Sequence, residues 1–161
     1  MTGGKHVAIT IVLGGLIAGT IDIGSACVIN SLSPLVILQA IASGLVGKVA
    51  FTGGAAIALL GLTLQWAMSM VIAAIYLAAT AARPAWRRRW ISTGCIAGVV
   101  IFAVMNYLVV PLSAAPFRPP LTLHGLLTAF SAGKLFANLA AMMLFGLIVS
   151  RVTASSARAA P

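Results

Sequence analysis

Acidic residues are almost absent: Asp22 is the one Asp or Glu in 161 residues. Hydrolytic and metal-dependent catalysis draws on carboxylates as bases, proton donors and ligands, and one carboxylate cannot make a pair. No enzyme of those kinds is expected. Charge of either sign is scarce, at 7% of residues, against roughly 25% in soluble domains, whose surfaces face water. Such a chain cannot clothe a water-facing surface, so lipid is its main solvent. The two cysteines, Cys27 and Cys95, are too few for a disulfide framework and lack metal-site spacing. They read as small apolar packing residues. His6 and His124 fall near opposite membrane faces, and neither has Cys, Asp or Glu at ligand spacing. No shared haem or zinc site is expected. Nucleophile elbows, phosphate loops and dinucleotide fingerprints are also missing, so no cofactor is expected.

Apolar residues are abundant. They make up 61% of the chain, with a mean hydropathy of +1.14. The net charge of +9 would point to nucleic acid in a soluble protein. Here the Lys and Arg residues sit at the ends of apolar runs, as topology determinants do, and nucleic-acid binding is not expected.

The pattern predicts an all-α membrane protein, a single integral domain over 1–161 with four transmembrane helices. The first span covers about 7–29 and is interrupted only by Asp22. That residue, with Gly24 three before Cys27, argues against a cleaved signal peptide. A shorter apolar piece, 35–47, follows the break at 30–34 and contains Gln39, Ser43 and Gly44. Its length suits a re-entrant or interfacial helix better than a span, and Pro34 fits the first turn of such a helix. Lys48 and Gly53-Gly54 mark the next break. The second span covers about 55–82 and ends at Arg83, Trp86, Arg87, Arg88, Arg89 and Trp90. Indoles beside guanidinium groups fit the headgroup layer, so anionic headgroups near Arg83, Arg87, Arg88 and Arg89 are the expected partner. The third span is about 91–111, the fourth about 125–150, and 151–161 reads as a polar tail.

Orientation follows from the cations. Lys5, Arg83, Arg87, Arg88, Arg89, Arg151 and Arg158 fall on one side, Lys48 and Arg118 on the other, and Lys134 within a span. The richer side is expected to be cytoplasmic, with both termini there.

Asp22 lies inside a span, where a carboxylate costs about 2.5–3.5 kcal/mol on insertion scales unless paired or wet. It sits seven residues from the outer end of its span near Ile29, about 10 Å deep. Lys134 reaches the same depth if the fourth span begins near Leu127. Gln65, Asn106 and Asn138 fall at comparable levels, Asn138 one turn after Lys134 on the same face. Together Asp22, Gln65, Asn106, Lys134 and Asn138 form a candidate polar cluster, roofed by 35–47. It reads either as an ion pair with amide bonds holding the helices in register, or as a proton or cation site.

Small residues four apart, Gly15–Gly19, Ser43–Gly47 and Gly94–Gly98, let helix backbones approach closely. They permit a homo-oligomer without naming a dimer face. Gly14-Gly15-Leu16-Ile17-Ala18-Gly19-Thr20-Ile21-Asp22-Ile23, Leu38-Gln39-Ala40-Ile41-Ala42-Ser43-Gly44 and Gly53-Gly54 resemble a family of small uncharacterised four-span membrane proteins. That resemblance implies a bacterial inner membrane and no mechanism. A looser likeness to small multidrug transporters rests on four helices and an acid in the first. The present chain departs from them in length, in the extra segment 35–47 and in Lys134. The expected function is structural or accessory, with Asp22 and Lys134 mainly holding the bundle together. The alternative is a small proton- or cation-coupled transporter using Asp22.

Overall fold

The computed structural model describes residues 2–116 and 132–158. Among them no strand occurs. Helix α1 is Thr2–Asn30 and α2 is Pro34–Val46. A 3₁₀ stretch, Gly47–Thr52, leads to α3, Gly54–Ala81. The short α4, Pro84–Arg88, turns the chain into α5, Trp90–Val104. That helix continues through a π-helical turn, Met105–Val109, and a last turn, Val110–Leu112. The final helix, α6, is Ala132–Arg158.

Five of these helical segments are long and apolar enough to cross a membrane: Gly4–Asn30, Pro34–Thr52, Gly54–Ala81, Trp90–Leu112 and Gly133–Ser156. The chain is a multi-pass helical membrane protein. Its long helices keep most apolar side chains outward, as in Val28, Ile96 and Leu112, which are 81%, 63% and 79% exposed. In water that would be a large aggregation-prone surface; in lipid it is the solvated face.

Two details differ from the sequence expectation. The segment after α1 does not stop at 47, because the 3₁₀ turns carry it on to Thr52 past Lys48. The chain is bent there, since Gly47 closes α2 at φ +73, with its N–H on the Ser43 carbonyl. That left-handed conformation favours glycine. The stretch 151–158, expected as polar tail, continues the helix. Its hydroxyls back-bond within the helix, Thr153 to the Val149 carbonyl, Ser155 to Arg151 and Ser156 to Val152. This satisfies polar groups that read as loop in sequence. The first part of the expected fourth span, 125–131, lies outside the described residues, as do Arg118 and His124.

Neighbouring helices run in the order α5, α6, α1, α3, α2. Across α1 and α6, Thr10 meets Ser156 and Gly14 meets Val152, so the two are antiparallel. Across α1 and α3, Gly15 meets Met70 and Asp22 meets Gln65, again antiparallel. The core where they join is Ala18, Ala73, Phe145 and Val149, flanked by Ile72, Tyr76, Ile101 and Ile148.

Glycine sets the closest approach. A Cβ at Gly146 would overlap the backbone of Gly94 and Gly98, and one at Gly98 would overlap that of Met142 and Met143. The Gly94–Gly98 pair is therefore turned to α6 and the Gly15–Gly19 pair to α3, both within one chain. Without a hydrophobic drive between helices in lipid, such close backbone contact supplies much of the attraction.

Lys5, the Arg83–Arg89 cluster and Arg151 gather at one end of the bundle, called the basic end below. Arg83 stacks on the Trp86 ring at 4.6 Å and Arg151 on Trp90 at 5.3 Å, each contact worth about 0.5–1 kcal/mol when exposed. Tyr76 donates to Thr93 Oγ1 at 3.0 Å and Ser150 donates to the Trp90 carbonyl, which ties α3, α5 and α6 together there.

The segment 34–52 packs chiefly against α3, whose first residues mark the opposite, loop end. Ser33 caps α2 through Val36 N–H, Gln39 is buried and donates to the Gly54 carbonyl at 3.2 Å, and the Leu38 carbonyl sits against Gly61. In the last turn of α2, the Gly44 carbonyl accepts from Ala114 N–H at 2.9 Å.

Candidate functional site

The polar cluster expected from the sequence divides into two places. The first is the joint of α1 and α3. Gln65 Nε2 donates to Asp22 Oδ2 at 2.8 Å, and just towards the basic end, one residue on in α3 and two back in α1, Trp66 Nε1 donates to Thr20 Oγ1 at 3.1 Å. Asp22 can reach Gln65 because Gly19 and Gly15, one and two turns away, let α1 lie directly on Ser69 and Met70 of α3. Around the carboxyl is a cavity of about 30 Å³, walled by Met68, Ser69, Ile101, Met105, Met142 and Phe145. That volume holds a water or two, and Gln65 and Ser69 are the polar side chains that share it with Asp22. Gln65 is thus the amide that answers the one acid in this apolar setting.

The second place lies nearer the loop end. Asn30, Asn106 and Asn138 line a cavity of about 190 Å³ with Phe102, Leu135 and Met142. Each asparagine donates its amide to the carbonyl one turn back in its own helix: Asn30 to Ala26, Asn106 to Phe102 and Asn138 to Lys134, at 2.8–2.9 Å. Asparagines of three helices thereby line one space. Asn106 owes its position to the π-helical turn. Pro111 has no N–H and its ring crowds the carbonyl one turn earlier, so the ladder slips to the i−5 bond from Val110 N–H to the Met105 carbonyl.

Met105 and Met142 wall both cavities, separating the asparagine space from Asp22. Asn30 was not among the cluster residues expected from sequence, because it reads there as part of the break after the first span. The matching levels of Asn106 and Asn138 are the signal that could have found it.

Lys134 stands apart from Asp22. It is exposed in the first turn of α6, eight residues before Met142, which is about 12 Å along the axis. By the register of Thr10 with Ser156, it comes level with the turn after α1 rather than with Asp22. The expected depth was counted from a helix start near Leu127, outside the described residues. Cys27 and Cys95 are both free thiols, at opposite ends of the bundle.

Fold and site together define a multi-pass membrane protein with an interhelical acid–amide joint and a neighbouring amide-lined cavity. Comparison with known proteins finds no matching family model, no matching curated protein and no matching solved structure.

Proposed function

We propose that the chain is a structural or accessory protein of a bacterial inner membrane, with four crossing helices and both termini in the cytoplasm. The observation that carries this reading is the Asp22–Gln65 bond. It joins two helices inside a cavity of about 30 Å³, which is the geometry of a joint rather than of a passage. The cation-rich basic end supports a cytoplasmic assignment by the positive-inside rule. Segment 34–52 then stays on the outer side, a reading supported by the attachment of Gly44 to Ala114 at the end of α5.

Impermeant thiol labelling tests this topology in a chain whose Cys27 and Cys95 are replaced by alanine. Ser33→Cys and Lys48→Cys are expected to label from outside intact cells, and Arg88→Cys only after lysis. Labelling of Ser33→Cys and Lys48→Cys from opposite sides would make 34–52 a fifth span and overturn the four-span reading.

A second reading, a small proton- or cation-coupled transporter using Asp22, is favoured by one feature. The asparagine cavity and the Asp22 cavity abut at Met105 and Met142, so movement of two flexible side chains would open a route from the loop end to the acid. Proteoliposomes containing a pH-sensitive dye separate the two readings. The structural one expects wild-type and Asp22→Asn protein to leak no more than empty liposomes. Flux that depends on Asp22 would establish transport.

A further inference from the structure

At the basic end, α1, α3 and α6 part around a cavity of about 480 Å³, within the size range of small-molecule sites. Its polar edge is His6, Thr10, Arg87, Thr153 and Ser156. Its wall is apolar, formed by Ile11 of α1 and Ala74, Leu77 and Ala81 of α3.

Arg87 does not point away from the protein as a topology-setting arginine would. Its side chain is partly buried against this wall, and its Nε is buried with no hydrogen-bond partner among the described residues. One terminal nitrogen makes a single long bond, 3.5 Å, to the Leu77 carbonyl. A buried guanidinium edge without an acceptor is costly. No side chain of the chain can supply a counter-charge. The one acid, Asp22, is sixteen residues from His6 on the same helix, about 24 Å along the axis. An anionic ligand in this cavity would supply the charge that Arg87 lacks among the described residues.

The geometry points to a bound anionic phospholipid, its phosphate on Arg87 beside the Thr10–Ser156 hydroxyl pair and one acyl chain along the Ile11–Leu77 wall. Those two hydroxyls lie 2.6 Å apart and line the same cavity. A planar guanidinium donates to phosphate through two parallel bonds, which uses the orphaned Nε. The apolar wall favours a lipid over free phosphate. Headgroups that carry an amine are disfavoured, because the site has cations around it and no carboxylate to receive an ammonium. Trp86 and Trp90 set this end at headgroup level, where such a lipid is at hand. The assignment holds whether Asp22 is a joint or a transport site.

Native mass spectrometry of detergent-purified, delipidated protein tests it, with phosphatidylglycerol, phosphatidylcholine or inorganic phosphate added. Wild type is expected to retain one phosphatidylglycerol after the remaining lipid is stripped. Arg87→Gln is expected to lower that retention by at least about tenfold, the loss of one charge-assisted bidentate contact. Lys48→Gln, at an exposed position away from the basic end, leaves it unchanged. Ala74→Leu, which fills the acyl wall and keeps Arg87, gives the same loss as Arg87→Gln and decides the matter if that variant misfolds. Equal retention of phosphatidylcholine, retention unaffected by both Arg87→Gln and Ala74→Leu, or displacement by millimolar inorganic phosphate would overturn the proposal, the last by revealing a small-anion site.

Discussion

Gly146→Leu is expected to be among the most damaging glycine substitutions at the described positions. Gly146 faces Gly94 and Gly98 with no space for a Cβ, and the atoms it would strike belong to backbone. No rotamer change can make room, so α5 and α6 must separate. Overpacking costs typically 1–3 kcal/mol where side chains can move. Here they cannot relieve the clash, and a loss of about 3 kcal/mol or more is expected, together with the close contacts that hold helices in lipid. Thermal unfolding in detergent, followed by circular dichroism, measures it. Gly98→Leu should behave alike, because its Cβ meets the backbone of Met142 and Met143. Gly24→Ala serves as the control: no heavy atom of the described residues lies within 4 Å of its added methyl, and it is expected to be neutral or slightly stabilising, since alanine favours a helix. Equal midpoints for Gly146→Leu and Gly24→Ala would show that the α5–α6 contact does not hold the fold.

The other large effect is expected at Gln65. Its amide is the donor to Asp22 Oδ2, so Gln65→Leu leaves a carboxyl among methionine, isoleucine and phenylalanine side chains, with Ser69 the polar side chain remaining in its cavity. Removing one partner of a buried bond costs about 1–3 kcal/mol, and more when the stranded group is charged. Asp22→Asn differs, because the new side chain keeps an oxygen that can accept from Gln65 at the same distance. A loss well under that of Gln65→Leu is expected for it. The asymmetry is the signature: the amide donor matters more to folding than the acid's charge. An ion pair with Lys134 would give the reverse order, with Asp22→Asn severe and Gln65→Leu mild.

The membrane class and most helices were legible because lipid imposes its demands on long stretches of chain. Asp22 also stood out, since a lone carboxyl in an apolar run is costly enough to require a partner. Its partner was less legible. A helix start near Leu127 would bring Lys134 to its depth, whereas the register is set by small-residue contacts such as Gly14 with Val152 and Gly15 with Met70, which join distant parts of the chain. The helical turn through Thr153 and Ser156 was hidden because back-bonded hydroxyls look like loop residues. The inward turn of Arg87 was hidden too: a run of arginines shows charge, not which side chain folds back against an apolar wall. Segment 34–52 read as ending near Gly47 because glycine and lysine look like a stop, while the 3₁₀ turns that follow depend on contacts with α3 and Ala114.

The central claim is that Asp22 and Gln65 form a structural joint between α1 and α3. A double-mutant cycle in detergent tests it most directly, using the unfolding free energies of wild type, Asp22→Leu, Gln65→Leu and the double variant. A joint predicts that each single change strands its partner and that the double variant recovers about 1 kcal/mol or more relative to the sum. Losses that add to within about 0.5 kcal/mol would contradict it, and Asp22 would then have to be explained by something other than holding the bundle together.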